Sequence, residues 1–127
     1  MPQQAARLFE NIPPDVCHLF KGTEPRAERV VELLKYKKSD VAEATSVPIS
    51  SIRYDAKMPA ELRERIVEWA IALNLVGSFF KDEQRTLLWF QVPNPLLGGV
   101  APRDMIRVGR FKKLLKFIQT ALSDNTR

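Results

Sequence analysis

Side chains that could carry reaction chemistry are sparse in this chain of 127 residues. His18 is the only histidine, and it stands beside Cys17, the only cysteine, in a short apolar stretch. One cysteine forms no internal disulfide, and no set of Cys, His, Asp and Glu has the spacing of a metal site. We therefore interpret His18 as a satisfied structural residue and Cys17 as a small buried hydrophobe.

The sequence patterns of nucleophilic catalysis and of phosphate binding are also missing. Ser, His and Asp are present, but no strand-turn-helix pattern places a serine on a strained elbow. The turn at Leu97-Gly98-Gly99 is not followed by Lys-Ser or Lys-Thr, as a phosphate-binding loop requires. We predict a protein that is not an enzyme, with no catalytic residues, no cofactor and no metal.

Charge is distributed unevenly along the chain. Residues 1–80 carry equal numbers of basic and acidic side chains, whereas residues 81–127 carry nine Lys and Arg against four Asp and Glu, a net charge of +5. A positive surface of this kind can follow a phosphate backbone or match an acidic protein, and composition does not choose between them. The C-terminal half is therefore the expected contact face.

The sequence contains no evident membrane span or secretory signal. No run of about 18 uncharged apolar residues occurs, and no basic segment leads into an apolar one at the N-terminus. The basic last helix is a poor membrane anchor, because a domain of this size needs its apolar face for the core. We expect a cytoplasmic protein with no membrane partner.

Apolar residues recur at helical spacing in most of the chain, and no segment alternates with period two. This pattern predicts an all-α fold, a small bundle of six or seven helices with a long helix opening at Pro59. Its apolar stripe comprises Leu62, Ile66, Trp69, Leu73, Val76 and Phe80. The expected divisions are residues 1–24, an N-terminal extension with short helical pieces; residues 25–69, a helix-turn-helix portion; and residues 70–127, a binding and dimerisation portion.

The middle of the chain has the spacing of a helix-turn-helix. Val41, Val47 and Ile52 would form the small core between the two helices, and Ala42 is small enough for the second helix to cross close above it. The alternative is that two short helices meet at a turn merely to build the bundle. The net charge of +2 over residues 35–57 is low, so specific DNA binding would require a dimer.

The turn of this motif would lie at Ser46, whose side chain could bond the local backbone, and Pro48 would begin the second helix. Side chains of that helix and of the segment after it would face DNA. The predicted DNA-binding residues are Ile49, Ser50, Ser51, Arg53, Tyr54 and Lys57.

A rigid corner is predicted between the last helices. Pro93 and Pro95 lack backbone donors and hold the residues before them in extended conformations, so the preceding helix must end there. Gly98-Gly99 permits a turn with positive φ, and Pro102 suits the first position of a new helix.

This order closely resembles the toxin-binding domain of Xre/MbcA/ParS-type antitoxins. The matching features are an aromatic helix end, Pro93-Asn94-Pro95, Leu97-Gly98-Gly99, Pro102 and the helix start at Gly109-Arg110, all within residues 85–121. These antitoxins usually carry an Xre-like helix-turn-helix before that domain, which is the order found in this chain.

The resemblance implies the antitoxin of a bacterial type II toxin–antitoxin pair. Such a protein binds and neutralises a cognate toxin, here a RES-domain protein that consumes NAD, and represses its own promoter as a complex. By this resemblance Arg110, Lys113, Lys116 and Phe117 would dock the last helix on the toxin, while Asn125 and Arg127 would enter its NAD pocket.

The run Leu87-Leu88-Trp89-Phe90 is apolar in every direction, which favours a homodimer that forms a hetero-oligomer with the toxin. The expected partners are therefore the toxin, promoter DNA and a second copy of the chain. The alternative function is a free-standing dimeric helix-turn-helix transcription regulator whose C-terminal portion serves only for oligomerisation.

Overall fold

The computed structural model describes residues 12–125 of the chain. Over this range it is mostly helical, with six α-helices and a two-stranded antiparallel ribbon. The elements are β1 Phe20–Lys21, β2 Glu24–Pro25, α1 Ala27–Leu33, α2 Lys38–Thr45, α3 Ala60–Phe80, α4 Glu83–Gln91, α5 Pro102–Arg107 and α6 Phe111–Asn125, with single 3₁₀ turns at Ile49–Ser51 and Pro95–Leu97. The prediction of a helical fold is confirmed, and the ribbon is the departure from all-α.

The ribbon replaces the helical pieces that the sequence predicts in the N-terminal extension. Gly22, with φ of +63°, forms the turn between the two strands, and Phe20 pairs with Pro25. A strand of two residues is too short to show alternation, so periodicity gives no sign of it. Residues 12–24 contain no helix, and the part of the prediction that concerns residues 1–11 lies outside the described residues.

Helix α3 is the centre of the core. Leu62, Ile66, Trp69 and Leu73 are all 2% exposed or less, which confirms the predicted stripe, while Phe80 at its end is half-buried. Helices α1, α4 and α6 pack against α3, and one apolar cluster includes residues from all of them. The predicted boundary between residues 69 and 70 falls inside this single helix, so the two predicted portions share one core.

A buried polar network joins the segment before β1 to α3. The Asp15 carboxylate accepts hydrogen bonds from the backbone N–H groups of Leu19 at 2.6 Å and Phe20 at 3.0 Å, and from Asn74 Nδ2 at 3.0 Å. Asn74 Oδ1 accepts from the Cys17 N–H at 2.9 Å. Asn74 is 1% exposed and Asp15 is half-buried, so the network joins the segment to α3 through one buried and three partly buried hydrogen bonds.

Cys17 and His18 occupy different environments. Cys17 is 3% exposed, as predicted, and burial raises the pKa of its thiol to about 11, so the thiol stays protonated at neutral pH. His18 is exposed at a turn with φ of 56°, so it does not pack with the apolar residues beside it. The apolar residues on either side turn inward and leave His18 facing solvent.

Gly77 allows the closest approach between this segment and α3. A Cβ atom at position 77 would lie 2.8 Å from Cys17 Sγ and 3.1 Å from Val16 Cγ2. We expect Gly77→Ala to lower the free energy of unfolding by about 1–3 kcal/mol, because overpacking outweighs the gain in helix propensity of about 1 kcal/mol. Urea unfolding would measure this change. The double variant with Cys17→Ala should recover part of the loss, and a single variant more stable than the wild type would contradict the contact.

Candidate partner-binding surface

The corner between α4 and α5 is built on Asn94. Its carbonyl accepts hydrogen bonds from the N–H groups of Leu97 and Gly99, both at 2.9 Å, and its Oδ1 accepts from the Leu96 N–H at 2.9 Å. Gly98 and Gly99 have φ of 75° and 80°, and α5 begins at a proline, so the predicted corner chemistry is confirmed. The backbone and the side chain of Asn94 both stabilise the turn.

Arg103 fixes this corner to the first half of the chain. Its Nε donates to the Leu34 carbonyl at 2.8 Å and its Nη2 to the Lys35 carbonyl at 3.1 Å, which satisfies acceptors at the end of α1. The guanidinium lies 5.5 Å from the centre of the Tyr36 ring, and the Tyr36 hydroxyl donates back to the Arg103 carbonyl. The corner therefore has a defined position on the bundle.

A groove of about 1020 Å³ runs between this corner and α6. One wall is aliphatic and open to solvent, with Leu96 78% exposed, Val108 52% and Val100 38%. The other wall comes from α6 and the residue before it, and it contributes Arg110, Lys113, Lys116 and Phe117. Four of the six residues predicted to bind the toxin therefore line one groove.

The cations of this second wall are available to a partner. Among the described residues, no carboxylate lies within 4 Å of Arg110, Lys113 or Lys116. Arg107, at the same groove, is instead paired with Glu43 at 3.1 Å and with Asp104 at 3.3 Å. The positive charge of the groove therefore comes from the α6 side.

Phe117 has a structural role as well as an exposed edge. Its ring stacks on Trp89, with centroids 6.5 Å apart and planes 16° from parallel. It also lines a separate apolar pocket of about 210 Å³ together with Phe79, Phe80 and Leu122. Helix α6 ends at Asn125, and the predictions for the side chains of Asn125 and Arg127 lie outside the described residues.

The predicted self-association surface is mostly buried within the chain itself. Phe90 is fully buried, while Leu87 and Trp89 are half-buried against the core. Leu88 is 61% exposed, and Val92, one turn further along, is 45% exposed. The apolar surface left for a partner on α4 is therefore this pair rather than the whole run.

The three apolar residues that the sequence assigns to the core between the two short helices are buried. Val41, Val47 and Ile52 are 6% exposed or less, and α2 ends at Ser46 in the left-handed conformation with φ of 61°. The side chain that stabilises this turn belongs to Thr45, whose hydroxyl donates to the Val41 carbonyl at 2.7 Å and accepts from the Val47 N–H at 3.2 Å. The sequence assigned that role to Ser46.

The second helix that the sequence predicts after Pro48 is a single 3₁₀ turn, Ile49–Ser51, and the chain is extended at Ile52. The expected continuous helix is wrong in extent. Ser50 and Ser51 are poor helix formers, and Ile52 and the tyrosine at position 54 add β-branched and aromatic side chains that lose rotamer freedom in a helix. The turn still places Ile52 in the core, which is what the bundle requires.

The predicted DNA-binding side chains differ in how free they are. Ile49, Ser50 and Lys57 are exposed and Ser51 is half-buried. Arg53 is exposed but binds the Asp55 carboxylate through two hydrogen bonds of 2.8 and 2.5 Å, which lower the pKa of that carboxyl. Tyr54 is half-buried, and its hydroxyl has no partner among the described residues. The free side chains thus form only a short, weakly charged patch.

Comparison with models of known protein families finds no match for this chain, and comparison with curated proteins finds none either. Between residues 12 and 125, no helix is long and apolar enough to cross a membrane. In the same part of the chain, no three His, Cys, Asp or Glu side chains lie together as a metal site would require.

Proposed function

We propose that this protein is the antitoxin of a type II toxin–antitoxin pair. It binds a cognate RES-domain toxin that consumes NAD, blocks the toxin's active site, and acts as a homodimer in the complex. The C-terminal half provides the toxin-binding surface, and the segment after α2 contacts promoter DNA when the complex represses its own operon.

The observation that carries this proposal is the groove beside the Asn94 corner. A rigid corner, an exposed aliphatic wall and cations without carboxylate partners are together suited to binding a protein, since specific interfaces combine apolar contacts with complementary charge. Helix α6, which provides the basic wall of this groove, extends to Asn125. On this proposal, Asn125 and Arg127 reach the NAD pocket while α6 docks.

DNA binding is the part of the proposal with less support from geometry. A 3₁₀ turn of three residues is shorter than the recognition helix that normally enters the major groove. A dimer would double the few phosphate contacts, and a bound toxin could hold two copies at the spacing of two half-sites. The same observation makes a free-standing transcription regulator the weaker alternative, because that function depends on DNA contacts alone.

If DNA binding is retained, Arg53→Ala should weaken binding of the complex to its own promoter by about 1–3 kcal/mol, the cost of losing one base contact. Gel shifts at two salt concentrations would measure this. Arg85→Ala, which removes an exposed arginine from α4, is the matched control. Equal affinity for all three proteins would remove Arg53 from the proposed DNA surface.

Co-expression with the protein of the adjacent open reading frame tests the proposed function. With an affinity tag on that neighbour alone, we expect the chain to co-purify in a fixed ratio and to remain bound through size-exclusion chromatography. Recovery of the neighbour without the chain, while both proteins are soluble in the lysate, would refute the proposal.

A further inference from the structure

One wall of the groove exposes aliphatic side chains to solvent. Leu96, Val100 and Val108 expose a large part of their side chains to solvent, and they lie on the rigid corner and at the end of α5. Exposed aliphatic groups gathered along one groove mark a contact surface more often than scattered ones do. A partner that binds along this wall would contact it with apolar side chains.

The opposite wall is basic and would bind negatively charged groups of a partner. Arg110, Lys113 and Lys116 are exposed and without a carboxylate partner among the described residues. Within residues 12–125, the one carboxylate that lines the groove, Asp104, is paired with Arg107 at 3.3 Å. A partner with carboxylates facing α6 would complete these pairs.

The combination of walls favours a peptide over a nucleic acid. Single-stranded nucleic acids bind through phosphate contacts together with bases stacked on aromatic rings. Among the described residues that line the groove, Phe117 is the only aromatic one; its ring already stacks on Trp89, and the remaining apolar surface is aliphatic. Leucine, isoleucine and valine side chains pack well against such a wall, whereas bases gain little from it.

We infer that the groove between the Asn94 corner and α6 binds an acidic, amphipathic segment of the partner protein, with its apolar side on Leu96, Val100 and Val108 and its carboxylates on Arg110, Lys113 and Lys116. This inference rests on the proposed function in one respect, that the C-terminal half binds a protein. It adds the chemistry of the segment that is bound and the groove that receives it.

The chain offers matched pairs of residues for a test. Lys116 lines the groove, while Lys112, which is also exposed on α6, lines a different cleft beside Glu68 and Trp69. Val108 lines the groove at 52% exposure, while Val16 is 44% exposed in the segment before β1 and does not line it. Within each pair, the same substitution is made at one position that lines the groove and at one position that does not.

The probe is a random 16-residue peptide library displayed on phage and selected on the immobilised full chain. We expect selected peptides to combine Asp and Glu with Leu, Ile or Val at helical spacing. Fluorescence anisotropy with the best peptide should show binding about tenfold weaker for Lys116→Glu and about fivefold weaker for Val108→Ser. The Lys112→Glu and Val16→Ser variants should bind about as well as the wild type, because their side chains lie outside the groove.

Failure to enrich any peptide, enrichment of peptides without carboxylates, or equal losses for Lys116→Glu and Lys112→Glu would each overturn the inference. The inference would also be overturned if a 20-nucleotide oligothymidine displaced the peptide and bound more weakly to Lys116→Glu but not to the control variants. That result would assign the groove to nucleic acid.

These outcomes are separable from the test of the proposed function. If the neighbouring protein co-purifies with Lys116→Glu and Val108→Ser as well as with the wild type, the groove inference fails and the proposed function stands. If peptides bind as expected but the neighbour does not co-purify, the antitoxin proposal fails and the groove stands.

Discussion

Replacing Asn74 with alanine should lower the free energy of unfolding by about 3 kcal/mol, because a buried N–H loses its acceptor and a small cavity forms. Asn74 is 1% exposed, and its Oδ1 is the acceptor for the Cys17 N–H at 2.9 Å. Its amide also donates to Asp15 at 3.0 Å. One substitution therefore removes two of the hydrogen bonds that join the segment before β1 to α3.

Urea unfolding followed by tryptophan fluorescence would measure this loss, since Trp69 lies in the core beside α3's other buried residues. Gln84→Ala, which removes an exposed amide from α4, serves as the control and should change stability by less than about 0.5 kcal/mol. A loss below about 1 kcal/mol for Asn74→Ala would show that the network contributes little.

The same network predicts a pH dependence. Burial alone would raise the pKa of Asp15, but the hydrogen bonds from Leu19, Asn74 and Phe20 outweigh it and lower the pKa below its ordinary value. A carboxyl with a lowered pKa in the folded state adds stability above its unfolded-state pKa and loses it as the pH falls through the folded-state pKa. Asp15→Asn should therefore be less stable than the wild type at pH 7 and should approach it in acid.

Replacing Leu88 with aspartate should convert the proposed homodimer into a monomer. Leu88 is 61% exposed on the outer face of α4, and Val92 lies one turn away on the same face. A two-fold interface contains each residue twice, so the substitution buries two carboxylates without partners. We expect the dissociation constant of the dimer to rise at least roughly hundredfold, about 2.7 kcal/mol.

Sedimentation equilibrium over a range of concentrations would measure this change. Ile49→Asp is the matched control, because Ile49 is 54% exposed but lies on the 3₁₀ turn after α2. A wild-type chain that is monomeric at tens of micromolar, or a Leu88→Asp chain that dimerises as the wild type does, would remove α4 from the proposed interface.

Features with a strong local cause could be predicted from the sequence. The stripe on α3 follows from the 3.6-residue period of its apolar residues. The corner follows from prolines and glycines whose backbone restrictions act within a few residues. The position of α6 follows from the glycine before it, Gly109 with φ of 85°, and from the amphipathic pattern of Phe111, Leu114 and Ile118.

Features that depend on distant contacts could not be predicted. Arg103 clamps Leu34 and Lys35, residues about seventy positions earlier, and no local pattern marks that pairing. The helix expected after Pro48 has the right spacing, but the burial of Ile52 in an extended conformation ends it after one turn. Only one wall of the groove could be predicted from the sequence. Its basic residues lie close together in the chain, whereas its aliphatic residues are spread over three separate positions.

Cellular NAD measured after induction of the neighbouring gene tests the central claim most directly. The account predicts that the neighbour alone depletes NAD and that co-expression of this chain restores it. Lys112→Glu should also restore NAD, whereas a variant that combines Lys116→Glu with Val108→Ser should restore less at equal expression. Two results would contradict the proposal that this protein is an antitoxin of an NAD-consuming toxin. In one, NAD stays unchanged when the neighbouring gene is induced. In the other, NAD falls as far in cells that contain detectable amounts of this chain as in cells that lack it.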